Sequence, residues 1–111
     1  MTVSDDQLAV MNGSRLTLSV PATLTIAEVE SVAASIVDLL PEADDIAVDA
    51  SAVQHIDLAG LQLLMAIALD AERSSVPFGW QAVSETFAAT VNLAGLRAGL
   101  RIDVKSASNE E

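Results

Sequence analysis

Apolar and polar residues alternate through Arg15-Leu-Thr-Leu-Ser-Val20, the period-two pattern of a strand with one buried face. Gln7–Met11 predicts an antiparallel partner, and Asn12-Gly13 between the two segments is a hairpin turn signal. Pro21 ends the strand, and the period then changes. Ile26, Val29, Val32, Ala33, Ile36, Val37 and Leu40 fall on one face of a helix of about four turns. Thr25 stands as its N-cap with Glu28 three residues on, the spacing of a capping box, and Pro41 closes it.

After the acidic loop Glu42-Ala-Asp-Asp45, the run Ile46-Ala-Val48 predicts a strand buried on both faces. A second helix is expected from Leu58 to Arg73, with Leu61, Leu64, Met65, Ala68 and Leu69 toward the core. Leu58, Leu63 and Ile67 widen its apolar surface beyond what a solvent-facing helix needs. Pro77–Ala82 predicts another strand. Ser84–Leu93 predicts a third helix, capped by Ser84, with Phe87, Val91 and Leu93 facing inward and Gly95 as its stop. A last short strand is expected at Arg101–Val104, and residues 105–111 as a flexible tail. Strands alternating with helices in this order argue for an α/β fold with a largely parallel sheet. No repeat or Pro/Gly/Ser-rich linker divides the chain, so residues 1–111 are expected to form one domain with its core at about 7–104.

Composition narrows the function. Sixteen acidic residues against five basic ones give a formal charge of −11, which repels nucleic acid and anionic membranes but attracts a basic patch on a partner protein. Most of these carboxylates are expected simply to keep the surface soluble. There are no cysteines, which excludes disulfides and thiolate chemistry. Residues 1–12 lack the pattern of a secretory signal, and the longest apolar stretch, Leu58–Leu69, is broken by Gln62 and falls short of the ~20 residues that span a bilayer. A cytoplasmic protein without membrane insertion is expected.

Catalytic constellations find little to build on. The single histidine, His55, has no serine elbow to serve and no companion ligands beyond Asp57, so no metal and no cofactor are expected. The five glycines are scattered, with no phosphate-cradling loop. Asp49 and Lys105 could suggest a phosphoryl-accepting receiver, but the acidic pair after the first strand is missing. The segment around residue 57 is more informative. Asp57 precedes a helix and can cap its free amides, Gly60 in the first turn permits close backbone approach, and Leu61 and Leu64 anchor the helix in the core. These residues by themselves leave open whether Asp57 does more than cap.

Val48-Asp-Ala-Ser-Ala-Val53, then Ile56-Asp57, Gly60-Leu61 and Leu64, resembles the signature of STAS domains, the bacterial anti-sigma-factor antagonists. Ser84-Glu-Thr-Phe-Ala-Ala-Thr-Val-Asn-Leu-Ala-Gly-Leu96 is similar to that family's third helix. The resemblance implies a four- to five-stranded mixed, largely parallel sheet with three or four helices, and a non-enzymatic module that binds a kinase-type regulator. Partner-binding residues carried over from it are Asp57, Leu58, Ala59, Gly60 and Leu61, with Thr23 nearby.

In the family this helix start often carries a hydroxyl that a kinase phosphorylates, and the added charge breaks the complex. Here Leu58 and Ala59 hold the hydroxyl positions and neither accepts a phosphate. The Gly-Glu-x-Asp segment often found before the first helix is replaced by Val20-Pro-Ala-Thr23. The resemblance therefore implies a variant without the phosphoswitch, in which Ser51, Ser84 and Thr23 are the nearby hydroxyls. Asp57-Leu-Ala-Gly-Leu-Gln-Leu-Leu64 is also similar to STAS proteins of chemotaxis arrays. An alternative from the same family is an accessory subunit of a phospholipid-trafficking ABC transporter, docked on its ATPase.

Overall fold

The first two strands, β1 (Ala9–Asn12) and β2 (Arg15–Ser19), pair antiparallel with Ala9 opposite Leu18 and Asn12 opposite Arg15. This is a computed structural model, and it describes residues 8–102. The pairing places Gly13 and Ser14 at the centre of the turn, one residue beyond the expected Asn12-Gly13. Gly13 has φ +66° and Ser14 a negative φ, the arrangement in which glycine takes the first central position of a two-residue hairpin.

A short strand, β3 (Thr23–Leu24), leads into helix α1 (Ile26–Ile36). Its capping box is formed: Glu28 Oε1 accepts the Thr25 N–H at 2.8 Å and the Thr25 hydroxyl at 2.7 Å. The helix stops well before Leu40. Pro41 has no N–H to donate and its ring crowds the preceding turn, so the chain tightens: Leu39 N–H bonds to Ile36 O at 2.9 Å and Leu40–Glu42 forms a 3-10 turn.

Strand β4 (Asp45–Ala50) runs parallel to β2, and Ile46, Ala47 and Val48 are all buried. A two-residue strand, β5 (His55–Ile56), pairs in parallel with β3 and precedes α2 (Leu58–Arg73), whose bounds match the sequence pattern. Strand β6 (Phe78–Val83) lies parallel to β4, giving the order β1-β2-β4-β6. The alternation expected of a mixed, largely parallel α/β sheet is present, and the elements of the described residues include four α-helices and one 3-10 turn. The β3–β5 ladder is additional; two residues in each strand are too short a run to register as a period.

Helix α3 (Glu85–Ala94) starts at Ser84, whose hydroxyl accepts the Phe87 N–H at 3.0 Å, and ends at Gly95 in the left-handed region with φ +70°. Phe87 and Val91 are buried, but Leu93 is 90% exposed. Six residues beyond Phe87 a helix has turned to its far side, so Leu93 cannot share the inward face. The expected strand at Arg101–Val104 is replaced where it is described. A short helix, α4 (Arg97–Leu100), is closed by Arg101 at φ +62°, and Ile102 N–H returns to Arg97 O at 3.1 Å. Asp103, Val104 and the expected tail lie outside the described residues, as does Gln7.

The core is aliphatic around three aromatic rings, with Trp80 between Phe78 and Phe87. Leu16, Leu18, Leu24, Val48, Leu61, Leu64 and Leu100 are almost fully buried with Phe87, which meets Trp80 at a ring-centroid distance of 5.2 Å. Trp80 Nε1–H donates to the Leu100 carbonyl at 2.9 Å and fastens α4 to β6. Val37 and Leu69, both expected inward, are about half exposed.

Candidate partner-docking site

The sheet delivers two helix starts to the same place. β3 and β5 pair with Thr23 opposite His55 and Leu24 opposite Ile56, and each strand turns directly into a helix, α1 or α2. Asp57 stands at the junction. Its Oδ1 accepts the Gly60 N–H at 3.0 Å, capping α2, and its Oδ2 accepts the Ile26 N–H at 3.0 Å, the first amide of α1. One carboxylate thus satisfies free amides of two helices and sits at the positive end of both dipoles. The Gly60 amide first and the Ile26 amide second hold the Asp57 carboxyl below its ordinary pKa. Glu28 is lowered likewise by hydrogen bonds from the Thr25 backbone and side chain, with Asp57 opposing.

Gly60 makes the junction possible. A Cβ on it would overlap the Leu24 carbonyl oxygen and lie 2.8 Å from Ile56 Cγ1; the absence of a side chain lets the β3 backbone pack against the first turn of α2. Leu61, carried over from the family as a binding residue, is buried. It supports the site from beneath and offers a partner no surface, and Gly60 is buried as well.

What remains at the surface is apolar. Leu58, the first residue of α2, is 57% exposed, and Ile26, the first residue of α1, is 71% exposed. Asp57 holds these two helix starts side by side. Ala59 and Thr23 are half-buried beside them. Sequence periodicity placed Ile26 on the inward face and so missed it. The available signal was its position immediately after the N-cap, where the helix end projects beyond the neighbours that would cover it.

The loop between β4 and β5 is held by short-range bonds. Asp49 Oδ1 accepts the Ser51 amide at 2.9 Å and its hydroxyl at 2.6 Å. The Ser84 hydroxyl donates to Val53 O at 2.8 Å, and Ala22 O accepts the amides of Gln54 and His55. Ser51 and Ser84 therefore serve turn and cap. Among the described residues no group of three His, Cys, Asp or Glu side chains is placed to hold a metal ion, and no helix is long and apolar enough to cross a membrane.

A protein-family model described as "Mlab, STAS domain" matches residues 9–102. The chain belongs to the STAS domain family. No curated protein sequence matches it. Among solved structures, this STAS chain is similar to an anti-sigma factor antagonist from Mycobacterium paratuberculosis, with a TM-score of 0.71 at 19% identity, covering 86% of this chain and 81% of the other. It is also similar to part of a protein named Mglu, with a TM-score of 0.58 at 17% identity, covering 68% of this chain and 19% of that one. At such identities the two structures establish the fold. Within that STAS fold, the strand, loop and helix start that carry the family motif are β4, β5 and the first turn of α2.

Proposed function

We propose that this STAS domain is a non-enzymatic interaction module of bacterial signalling, similar to anti-sigma-factor antagonists, which docks a kinase-type regulator in the cytoplasm. The observation that carries this reading is the exposed pair Ile26 and Leu58, the first residues of two helices fastened together by Asp57. Both oxygens of Asp57 are occupied by backbone amides, so the carboxylate shapes the surface while the neighbouring aliphatic side chains offer the contact. Desolvating such a pre-formed apolar patch is favourable and requires little reordering.

No hydroxyl stands at Leu58 or Ala59. Docking here is accordingly constitutive, or controlled away from the α2 start. A second reading is supported by the apolar character of Ile26 and Leu58, which suits a permanent assembly: an accessory subunit docked on the ATPase of a phospholipid-trafficking ABC transporter. A link to chemotaxis arrays rests on the Asp57–Leu64 motif.

The test is affinity purification from native cells with the wild-type chain and with Leu58→Asp. Retention of a sigma-regulating or chemotaxis kinase by the wild type alone supports the signalling reading, and an ATPase with its permease supports the transporter. Equal recovery of the same partner by Leu58→Asp would remove the helix starts as the docking surface.

A further inference from the structure

A groove of about 160 Å³ runs between α1 and α2, lined by Ala33, Val37 and Leu40 on one side and Leu63, Ala66 and Ile67 on the other. It is apolar throughout. Helical spacing carries exposed acids onto the same rows as its walls: Glu30, Ala33 and Val37 stand at i, i+3 and i+7 along α1 and its C-cap, and Leu63, Ala66 and Asp70 do the same along α2. Each row spans about 10 Å, or two turns. The groove thus opens between one and two turns beyond the helix starts that Asp57 joins. The small side chains of Ala33 and Ala66 leave room for a neighbouring helix to approach closely.

Charge selects the occupant. Glu30 and Asp70 are exposed on the two rows, and Glu42 is exposed just beyond Leu40. Against these, Arg73 is the cation near the far end of α2. A second copy would bring a further −11 to the same face. The chain's own last segment, with Asp103, Glu110 and Glu111 against Lys105, is also net acidic. An amphipathic helix with an apolar stripe flanked by Lys or Arg matches the groove in polarity and the acids around it in charge.

We propose that the α1–α2 groove receives a basic amphipathic helix of a partner protein. The inference rests on the interaction-module reading and adds a second surface further along the same two helices. The apolar stripe of the incoming helix lies over Ala33, Leu63 and Ala66, and its cations face Glu30 and Asp70. Leu58 lies on a different side of α2, so the two contacts are separable by mutation.

The probe is a synthetic Leu/Lys amphipathic peptide of about 18 residues, titrated into the isotopically labelled full chain and followed by amide chemical shifts. The expected result is saturable binding with shifts centred on Ala33, Val37, Leu63 and Ala66. Ala66→Arg, at an exposed position, and Val37→Arg each weaken it by about tenfold or more. The same peptide with Glu in place of Lys does not bind. Leu93→Ser, at an exposed position of α3, leaves the titration within about twofold, and partner recovery with Leu58→Asp reads the helix starts separately, so failure there and failure of the groove give different results. Shifts centred elsewhere, binding indifferent to both arginine variants, or equal binding of the Glu peptide would overturn the proposal.

Discussion

Asp57 accepts the backbone amide of Ile26 across a sequence separation of 31 residues, using the oxygen that its own helix leaves free. The bond turns two separate helix starts into one rigid platform. It also accounts for an aspartate at this position: serine or threonine could cap α2, but a carboxylate has a second oxygen for α1.

Replacing Asp57 by Ala leaves the Gly60 and Ile26 amides without this acceptor. From the usual effect of losing an N-cap, we expect thermal unfolding to drop by roughly 4–8 °C. Asn restores only part of this, because one oxygen can serve one helix while its NH2 group faces the other amide. Differential scanning calorimetry of the three proteins checks the order Asp, Asn, Ala. Equal melting temperatures for Asp and Ala would refute the double-cap account.

Gly60→Ala forces a Cβ onto the Leu24 carbonyl, and backbone cannot move aside as a flexible side chain would. A loss near the upper end of the ~1–3 kcal/mol usual for overpacking is expected in urea titrations. Gly79→Ala meets nothing within 4 Å and should stay within about 0.5 kcal/mol of wild type.

Acid should loosen the platform. Asp57 and Glu28 both have folded pKa values below their ordinary ones. The unfolded chain therefore takes up protons first as pH falls. The stabilisation they contribute is fully present above the unfolded carboxylate range and is lost as pH drops below about 4 and passes through the lowered folded values. Stability of wild type against Asp57→Ala, compared from pH 7 to pH 2, should converge at the acid end. A constant difference across that range would show that ionisation of Asp57 contributes nothing.

Helical phase separates Phe87 from Leu93. Phe87→Ala should cost about 3–5 kcal/mol as a cavity in the core, whereas Leu93→Ser should remain within about 0.5 kcal/mol. Comparable losses at both positions, measured by denaturant unfolding, would contradict the observed orientation of α3.

The α2 start lacks a phosphorylatable side chain, and a hydroxyl can be supplied there. Incubated with ATP and a kinase recovered on the wild-type chain, the wild type should keep its intact mass, while Ala59→Ser gains one phosphate and loses affinity for that kinase. Phosphate recovered on the wild-type chain within residues 58–60 would end the lost-switch reading.

Local periodicity and end signals were enough to place most of the elements. The capping box at Thr25 and Glu28, the bounds of α2, the Ser84 cap and the Gly95 stop are interactions among near neighbours, so their residues carry them in the sequence itself. The family motif from Val48 to Leu64 was legible for the same reason. Decisions made between distant segments were not. No local pattern pairs Leu24 with Ile56, gives the second oxygen of Asp57 to Ile26, or uncovers Ile26. A helical face records that some side is apolar, and only the packing of α1 beside α2 decides which of those residues the core covers and which it leaves at the surface.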